Sequence, residues 1–125
     1  MVRTIEIPQE RWPSFLKMLN RMADGRPVRI EVARRDLGDQ EMGDRLPLLD
    51  VDFETKGSDR GDLVIAVGSD RGELTHLIEK PTRMAVALND DNEPQWLAID
   101  EHGEGTTIIH FERLPALEPE YGAAP

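Results

Sequence analysis

The feature that most constrains this chain is a succession of short segments in which apolar and polar residues alternate. Alternation with a period of two places successive side chains on opposite faces of a β-strand. Because short polar turns join most of these segments, they are predicted to pair as antiparallel neighbours. The segments lie near residues 3–7, 28–33, 49–54, 63–67, 73–79, 84–88, 96–99 and 106–111.

A single amphipathic helix is predicted between the first two strands. The apolar residues that recur there at helical spacing are Trp12, Phe15, Leu16, Leu19 and Met22. Because a proline inside a helix removes a backbone hydrogen bond, the regular part should begin near Trp12 or Pro13. Gly25 and Pro27 mark its end, since glycine supplies a left-handed cap and proline cannot continue the helix.

One helix cannot cover seven or eight strands, so the sheet must bend until its apolar face forms its own core. We therefore predict an α+β fold, with one N-terminal amphipathic helix packed on a strongly bent, mostly antiparallel sheet or on a small Sm-like or SH3-like barrel. Residues 1–113 are predicted to form this single domain. Residues 114–125, which contain three Pro and three Ala, are predicted to form a flexible C-terminal tail.

Two local features are predicted ahead of the third strand. The stretch 36–45 is rich in Asp, Gly and other polar residues, and it is expected to be an exposed loop. The apolar residues then change parity, since Leu46 and Leu48 alternate out of step with Leu49, Val51 and Phe53. This change predicts a bulge or bend near residues 47–48, with the second set on the buried face.

A seven-residue phrase occurs twice, at 57–63 and 68–74, and reads Gly-Ser-Asp-Arg-Gly-acid-Leu in both copies. Serine and aspartate bond to the local backbone and glycine adopts positive φ, so each copy predicts a tight turn at one end of strand 63–67. Paired calcium loops are the alternative. They are disfavoured because Arg60 and Arg71 would repel a cation within each loop.

Composition excludes several function classes. Acidic residues outnumber basic ones by 25 to 15, for a net charge of -10, and the basic residues do not cluster, so no nucleic-acid partner is expected. The chain has no cysteine, which excludes disulfides and thiolate sites. It has neither a long apolar run nor a basic-then-apolar leader. We therefore expect a cytoplasmic protein without a membrane partner.

Histidines and alternating acids are the candidate site residues. His76 and His110 each share a strand face with apolar residues, and the two rings could meet and hold a metal with a carboxylate if their strands pair. The commoner alternative is a core histidine satisfied by one hydrogen bond. Asp50, Asp52 and Glu54 share one strand face and could bind a metal or act as an acid–base pair. Apolar residues alternate with them, which favours a solvated strand face.

The motif order resembles a bacterial family of small domains of unknown function. The resemblance covers about residues 1–113 and implies a helix followed by a bent antiparallel sheet, with no activity, cofactor or catalytic residue to carry over. The order also resembles small Sm-like barrels in topology. The motifs are Ile-Pro at 7–8, Trp-Pro-x-Phe-Leu at 12–16, Leu-Pro-Leu at 46–48, Leu-Thr-His at 74–76, Pro-Thr-Arg at 81–83 and Gly-Thr-Thr at 105–107.

Three function classes follow in order of preference. The first is a non-catalytic interaction module that self-associates, because small curved sheets have edges and the chain lacks a serine elbow or a phosphate-binding loop. The alternative is a small-ligand or metal-binding barrel using His76, His110 and nearby carboxylates. The third is a small hydrolase or isomerase that uses Asp50, Asp52 and His76.

Overall fold

A computed structural model describes residues 1–34, 36, 38–58, 60–103 and 105–117 of the chain. A short 3-10 turn, Gln9–Arg11, precedes the helix. The helix and strands are β1 (Arg3–Glu6), α1 (Trp12–Ala23), β2 (Pro27–Arg34), β3 (Gly38–Phe53), β4 (Leu63–Ser69), β5 (Gly72–Ile78), β6 (Pro81–Leu88), β7 (Pro94–Glu101) and β8 (Gly105–Phe111).

The eight strands form one sheet in the order β1-β6-β7-β8-β2-β3-β4-β5, and all neighbouring pairs are antiparallel. The predicted α+β class, with one N-terminal helix and a bent antiparallel sheet, is therefore confirmed. The sheet is open, with β1 and β5 as its two edges, and it does not close into a barrel.

The long strand β3 joins the two halves of the sheet. Its first part pairs with β2 and its second part, from Leu48, pairs with β4. The predicted loop at 36–45 is therefore wrong for residues 38–45, which are strand (position 37 lies outside the described residues). Their side chains are polar and mostly exposed, but pairing with β2 fixes the backbone, and that pairing leaves no trace in local composition.

The predicted bulge lies in the second part of β3. Leu48 and Asp50 pair with the consecutive residues Val67 and Ala66, so one residue of β3 is extra. That residue, Leu49, is 41% exposed. The bulge is confirmed, but the expectation that Leu49 lies on the buried face is wrong, because an extra residue reverses the alternation.

Helix α1 packs against β3 and begins where the sequence predicts. Pro13 occupies its first turn, where the missing N–H costs no intrahelical bond. The Asn20 side chain accepts a hydrogen bond from Val51 N (2.9 Å) and donates one to Val51 O (3.0 Å). The Trp12 ring meets Phe53 edge-on, with centroids 5.5 Å apart. In the described ranges no helix is long and apolar enough to span a membrane.

The two copies of the repeated phrase form turns at opposite ends of β4, as predicted, but in different conformations. Ser69 and Gly72 pair across a two-residue turn, where a Cβ on Gly68 would lie 2.3 Å from the Gly72 carbonyl oxygen. The first copy belongs to a wider loop, closed by a bond from Gly61 N to Glu54 O. A Cβ on Gly57 would meet nothing within 4 Å. Position 59 lies outside the described residues.

The core continues past residue 113, where the tail was expected to begin. Leu114 and Leu117 are buried within it, and Leu117 N donates to Asn92 O at 2.9 Å. The remainder of the expected tail, 118–125, lies outside the described residues. Apolar packing of two leucines thus fixes a segment whose composition resembles that of a linker.

Candidate functional site

His76 and His110 lie on opposite faces of the sheet. Their strands, β5 and β8, are separated by β2, β3 and β4 in the sheet order and do not pair. His76 pairs with Ile65, so it faces the core side. His110 alternates with the buried residues Thr107 and Ile109, so it faces outward. The structure therefore does not bring the two rings together.

His76 matches the commoner alternative of a satisfied core histidine. Its Nε2 shares a hydrogen bond of 3.0 Å with Oγ1 of Thr107, which is 1% exposed. Partial burial, together with the charge of Arg34, lowers the pKa of His76. This hydrogen bond on the inner face of the bent sheet links β5 to β8.

Asp50 and Asp52 lie on the outer face of the second half of β3, as the alternation predicts. They pair with Ala66 and Val64, and both carboxylates are exposed. Partial burial and the neighbouring charge of Asp52 raise the pKa of Asp50. His76 lies on the opposite face of this part of the sheet. The structure therefore does not bring His76 together with Asp50 and Asp52, as the hydrolase or isomerase hypothesis requires. No group of three or more His, Asp or Glu among the described residues could hold a metal.

A different set of side chains meets on the outer face of β2, β8 and β7. Arg29 pairs with His110, and His110 pairs with Trp96, so the three residues form one row across the sheet. The Trp96 and His110 ring centroids are 6.3 Å apart, with the planes inclined by 50°. His110 Nε2 lies within hydrogen-bond distance of Glu31 Oε1, at 3.0 Å, and Nδ1 is the second polar atom of the ring.

A groove of about 530 Å³ runs beside this row, and we call it the Trp96 groove. One wall is a second bulge of β3, because β3 has one residue more than β2 between the pairs Val28–Leu46 and Ile30–Gly43. Arg45 in this bulge adopts φ 60, which a non-glycine residue seldom does. The groove is defined by Arg29, Asp44, Arg45, Trp96, His110 and Glu112.

Carboxylates accompany both arginines of the Trp96 groove. Arg45 NH1 donates to Glu112 Oε1 at 2.9 Å, which ties the bulge to the chain after β8. The Arg29 guanidinium lies 3.7 Å from Glu31 and 3.6 Å from Glu41, which is beyond hydrogen-bond distance. Among the described residues, neither this guanidinium nor Trp96 Nε1 makes a hydrogen bond. The groove therefore offers unused donors beside a half-buried aromatic ring.

Comparison with known families decides which family this fold and site belong to. Residues 3–120 match the model of DUF5335, a family of unknown function. The chain belongs to DUF5335. No curated protein and no solved structure matches it.

Sequence reasoning missed the site that this DUF5335 chain carries on its outer face. Arg29, Trp96 and His110 come from three strands, and only the register of those strands aligns them. One local signal was available. His110 directly follows Ile109 at the end of an apolar run, which marks an outward-facing position, whereas Trp96 begins an apolar run and gives no such signal.

Proposed function

We propose that this DUF5335 chain is a non-catalytic interaction module that self-associates through the edge strand β5. The observation that carries the proposal is that β5 is an edge strand, with β4 as its only strand neighbour among the described residues. Alternate backbone N–H and C=O groups of an edge strand point away from its one neighbour. Within the described ranges, no residue other than those of β4 bonds to the backbone of β5.

The opposite edge strand of the sheet, β1, has features that prevent it from pairing with another chain. β1 has only four residues, and Pro8 follows closely after it. Its outward-facing Glu6 accepts a hydrogen bond from Arg83. Short length, proline and charge are the usual devices that prevent an edge from pairing with another chain. β5 has seven residues, contains no proline or lysine, and carries one charged residue, Glu73.

Apolar side chains on β5 give the edge a reason to be covered. Leu74 is 48% exposed and Leu77 is 49% exposed, and they lie on opposite faces of the strand. Leu77 pairs with Val64 on the outer face, and Leu74 pairs with Val67 on the inner side. A strand added beside β5 would cover both leucines while it bonds to the free backbone groups.

A second copy of the chain fits this edge by symmetry. Two β5 strands related by a two-fold axis perpendicular to the sheet run antiparallel, and each then presents the same face on the same side. The leucines of both copies would then be covered by one continuous sheet. The area buried by a single pair of strands is small, so we expect a weak dimer.

Light scattering over a concentration series tests the proposal. We expect the mass to rise from monomer to dimer between about 10 and 500 µM, a range that suits a weak complex. Leu77→Lys should keep the protein monomeric, because a charge on an edge opposes pairing. Leu49→Lys, which changes an exposed leucine away from the edge, should dimerise like the wild type. A wild-type mass that stays monomeric throughout would contradict self-association.

A further inference from the structure

The row formed by Arg29, His110 and Trp96 has the parts of a small-molecule site that self-association at β5 does not use. We propose that the Trp96 groove binds a neutral, planar heterocycle of nucleobase size, stacked on Trp96 and hydrogen bonded at its edges. The groove lies on β2, β7 and β8, whereas the self-association proposal concerns the far edge of the sheet. The two proposals can therefore fail separately.

The aromatic ring favours a planar ligand. Trp96 is half-buried on the outer face and lies beside Ala87 of β6, and its side chain is one of those that line the groove. Stacking on an aromatic side chain tolerates any planar ring, because every such ring has a π-face. The groove volume of about 530 Å³ falls in the range of small-molecule pockets.

The presence of both signs of charge favours a neutral ligand. Arg29 and Arg45 carry two positive charges on the groove, Asp44 and Glu112 carry two negative charges, and Glu31 and Glu41 lie within 3.7 Å of Arg29 as well. The chain as a whole carries -10, so its field repels a phosphorylated ligand at long range. An anionic ligand would be repelled by the carboxylates of the groove, and a cationic ligand would be repelled by its arginines.

The unused hydrogen-bonding groups favour a ligand with both acceptors and donors on its edge. Arg29 faces the bulge that carries Asp44, because Arg29 lies between the two β2 positions that bracket the extra residue of β3. The guanidinium supplies donors and makes no hydrogen bond to described residues, while the Asp44 carboxylate supplies acceptors. Carbonyl and N–H groups side by side, as on a purinone ring, match this pair.

His110 is placed to orient the ligand. Its Nε2 is held by Glu31, so the ring cannot rotate freely, and Nδ1 is its remaining polar atom. The Arg45–Glu112 ion pair closes the same groove at the bulge. An imidazole held by Glu31, a guanidinium held by two carboxylates without a hydrogen bond, and an aromatic surface in one row make a preorganised site.

A titration followed by backbone amide NMR tests the proposal on the intact chain. Inosine is the probe, and we expect saturable shifts at residues of β2, β7 and β8 with half-saturation at about 1 mM or below. Arg29→Gln should weaken binding about tenfold, the effect of losing hydrogen bonds to a charged group. Trp96→Leu should abolish the saturable shifts.

Controls make the result decisive. Arg83→Gln changes an exposed arginine on the same outer face, paired with Glu6 away from the groove, and should bind inosine like the wild type. The Arg29 variant alters an exposed side chain, so it keeps the test valid if Trp96→Leu does not fold. Inosine monophosphate and benzoate test the charge requirement and should bind more weakly. The proposal is overturned if inosine gives no saturable shift, if either anion binds more tightly, or if Arg29→Gln binds unchanged.

Discussion

His76 on β5 shares a hydrogen bond of 3.0 Å with Thr107 on β8, although three strands separate β5 from β8 in the sheet. The contact exists because the sheet bends until its far edge returns to its own inner face. The bend lets eight strands and one helix share a single apolar core. Because His76 is titratable, this contact between β5 and β8 should make the stability of the fold sensitive to pH.

We expect stability to fall as the pH drops below about 6.5, and His76 to be responsible for part of the loss. Burial and the charge of Arg34 lower the pKa of His76 in the folded protein below its ordinary value of 6.5. Between the two values the unfolded chain binds more protons than the folded one, so unfolding is favoured as pH falls. Above pH 6.5 the ring is neutral in both states and the effect vanishes.

Urea unfolding from pH 5 to pH 8 measures this dependence. His76→Gln removes the titrating group and should flatten the curve below pH 6.5 relative to the wild type. His110→Gln removes a histidine from the outer face and should leave the acid-side loss in place. If the wild type and His76→Gln lost the same amount of stability as the pH fell, His76 would play no part in the pH response.

The two copies of the repeated phrase should respond differently to the same substitution. Gly57→Ala should cost about 1 kcal/mol, because Gly57 has φ 80 but open space around it. Gly68→Ala should cost about 3 kcal/mol, because φ 144 combines with a Cβ position 2.3 Å from the Gly72 carbonyl oxygen. Thermal or urea unfolding of the two variants measures the difference. Equal costs would show that the local sequence, and not the turn geometry, sets the requirement for glycine.

Asn20 should be the polar residue of α1 on which docking of the helix depends most. Its amide side chain forms hydrogen bonds with both the N–H and the carbonyl of Val51, which lies just after the bulge in β3. Asn20→Ala should lower the free energy of unfolding by about 2 kcal/mol, since two partly buried backbone groups lose their partner.

The neighbouring residue Lys17 provides the control for Asn20. It is exposed on the same helix, so Lys17→Ala should change stability by no more than about 0.5 kcal/mol. Urea unfolding measures both variants. A loss for Asn20→Ala no larger than that for Lys17→Ala would mean that apolar packing alone holds the helix on β3.

Most of the element order could be read from the sequence, because period-two and period-3.6 patterns survive wherever one face is buried. The helix start at Trp12 and the bulge near Leu48 are examples. Residues 38–45 could not be read, since their strand is paired on the backbone while its side chains are mostly polar and solvated. The prediction that Leu49 is buried was wrong for the opposite reason, because one extra residue in β3 turned an apolar side chain outward.

The candidate site was harder to predict than the fold because it depends on register. The sequence indicates which face of its own strand each of His76 and His110 occupies, but it does not indicate which strands are neighbours in the sheet. A sheet order in which β2 returns beside β8 separates the two histidines and aligns His110 with Arg29 and Trp96 instead. Such alignments follow from long-range pairing, which local patterns do not encode.

Asp50→Asn should stabilise the protein slightly at neutral pH. Partial burial and the charge of Asp52 raise the pKa of Asp50 above its ordinary value of 3.8, so the ionised form is disfavoured in the folded state. The folded chain then binds more protons than the unfolded chain just above pH 3.8, and stability falls as pH rises through the raised pKa. At pH 7 the substitution should gain up to about 0.5 kcal/mol, the usual limit for a surface change.

The gain from Asp50→Asn should disappear near pH 3, where the carboxyl is protonated in both states, and it should shrink at high salt, which screens the repulsion by Asp52. Asp39→Asn, at an exposed position in the first part of β3 opposite Ala33, is the matched control and should give no gain. Melting temperatures at pH 3 and pH 7, in low and high salt, measure all three proteins. A gain of equal size at both pH values would show that charge at Asp50 is not the cause, since a neutral carboxyl and a neutral amide differ little in their electrostatic interactions.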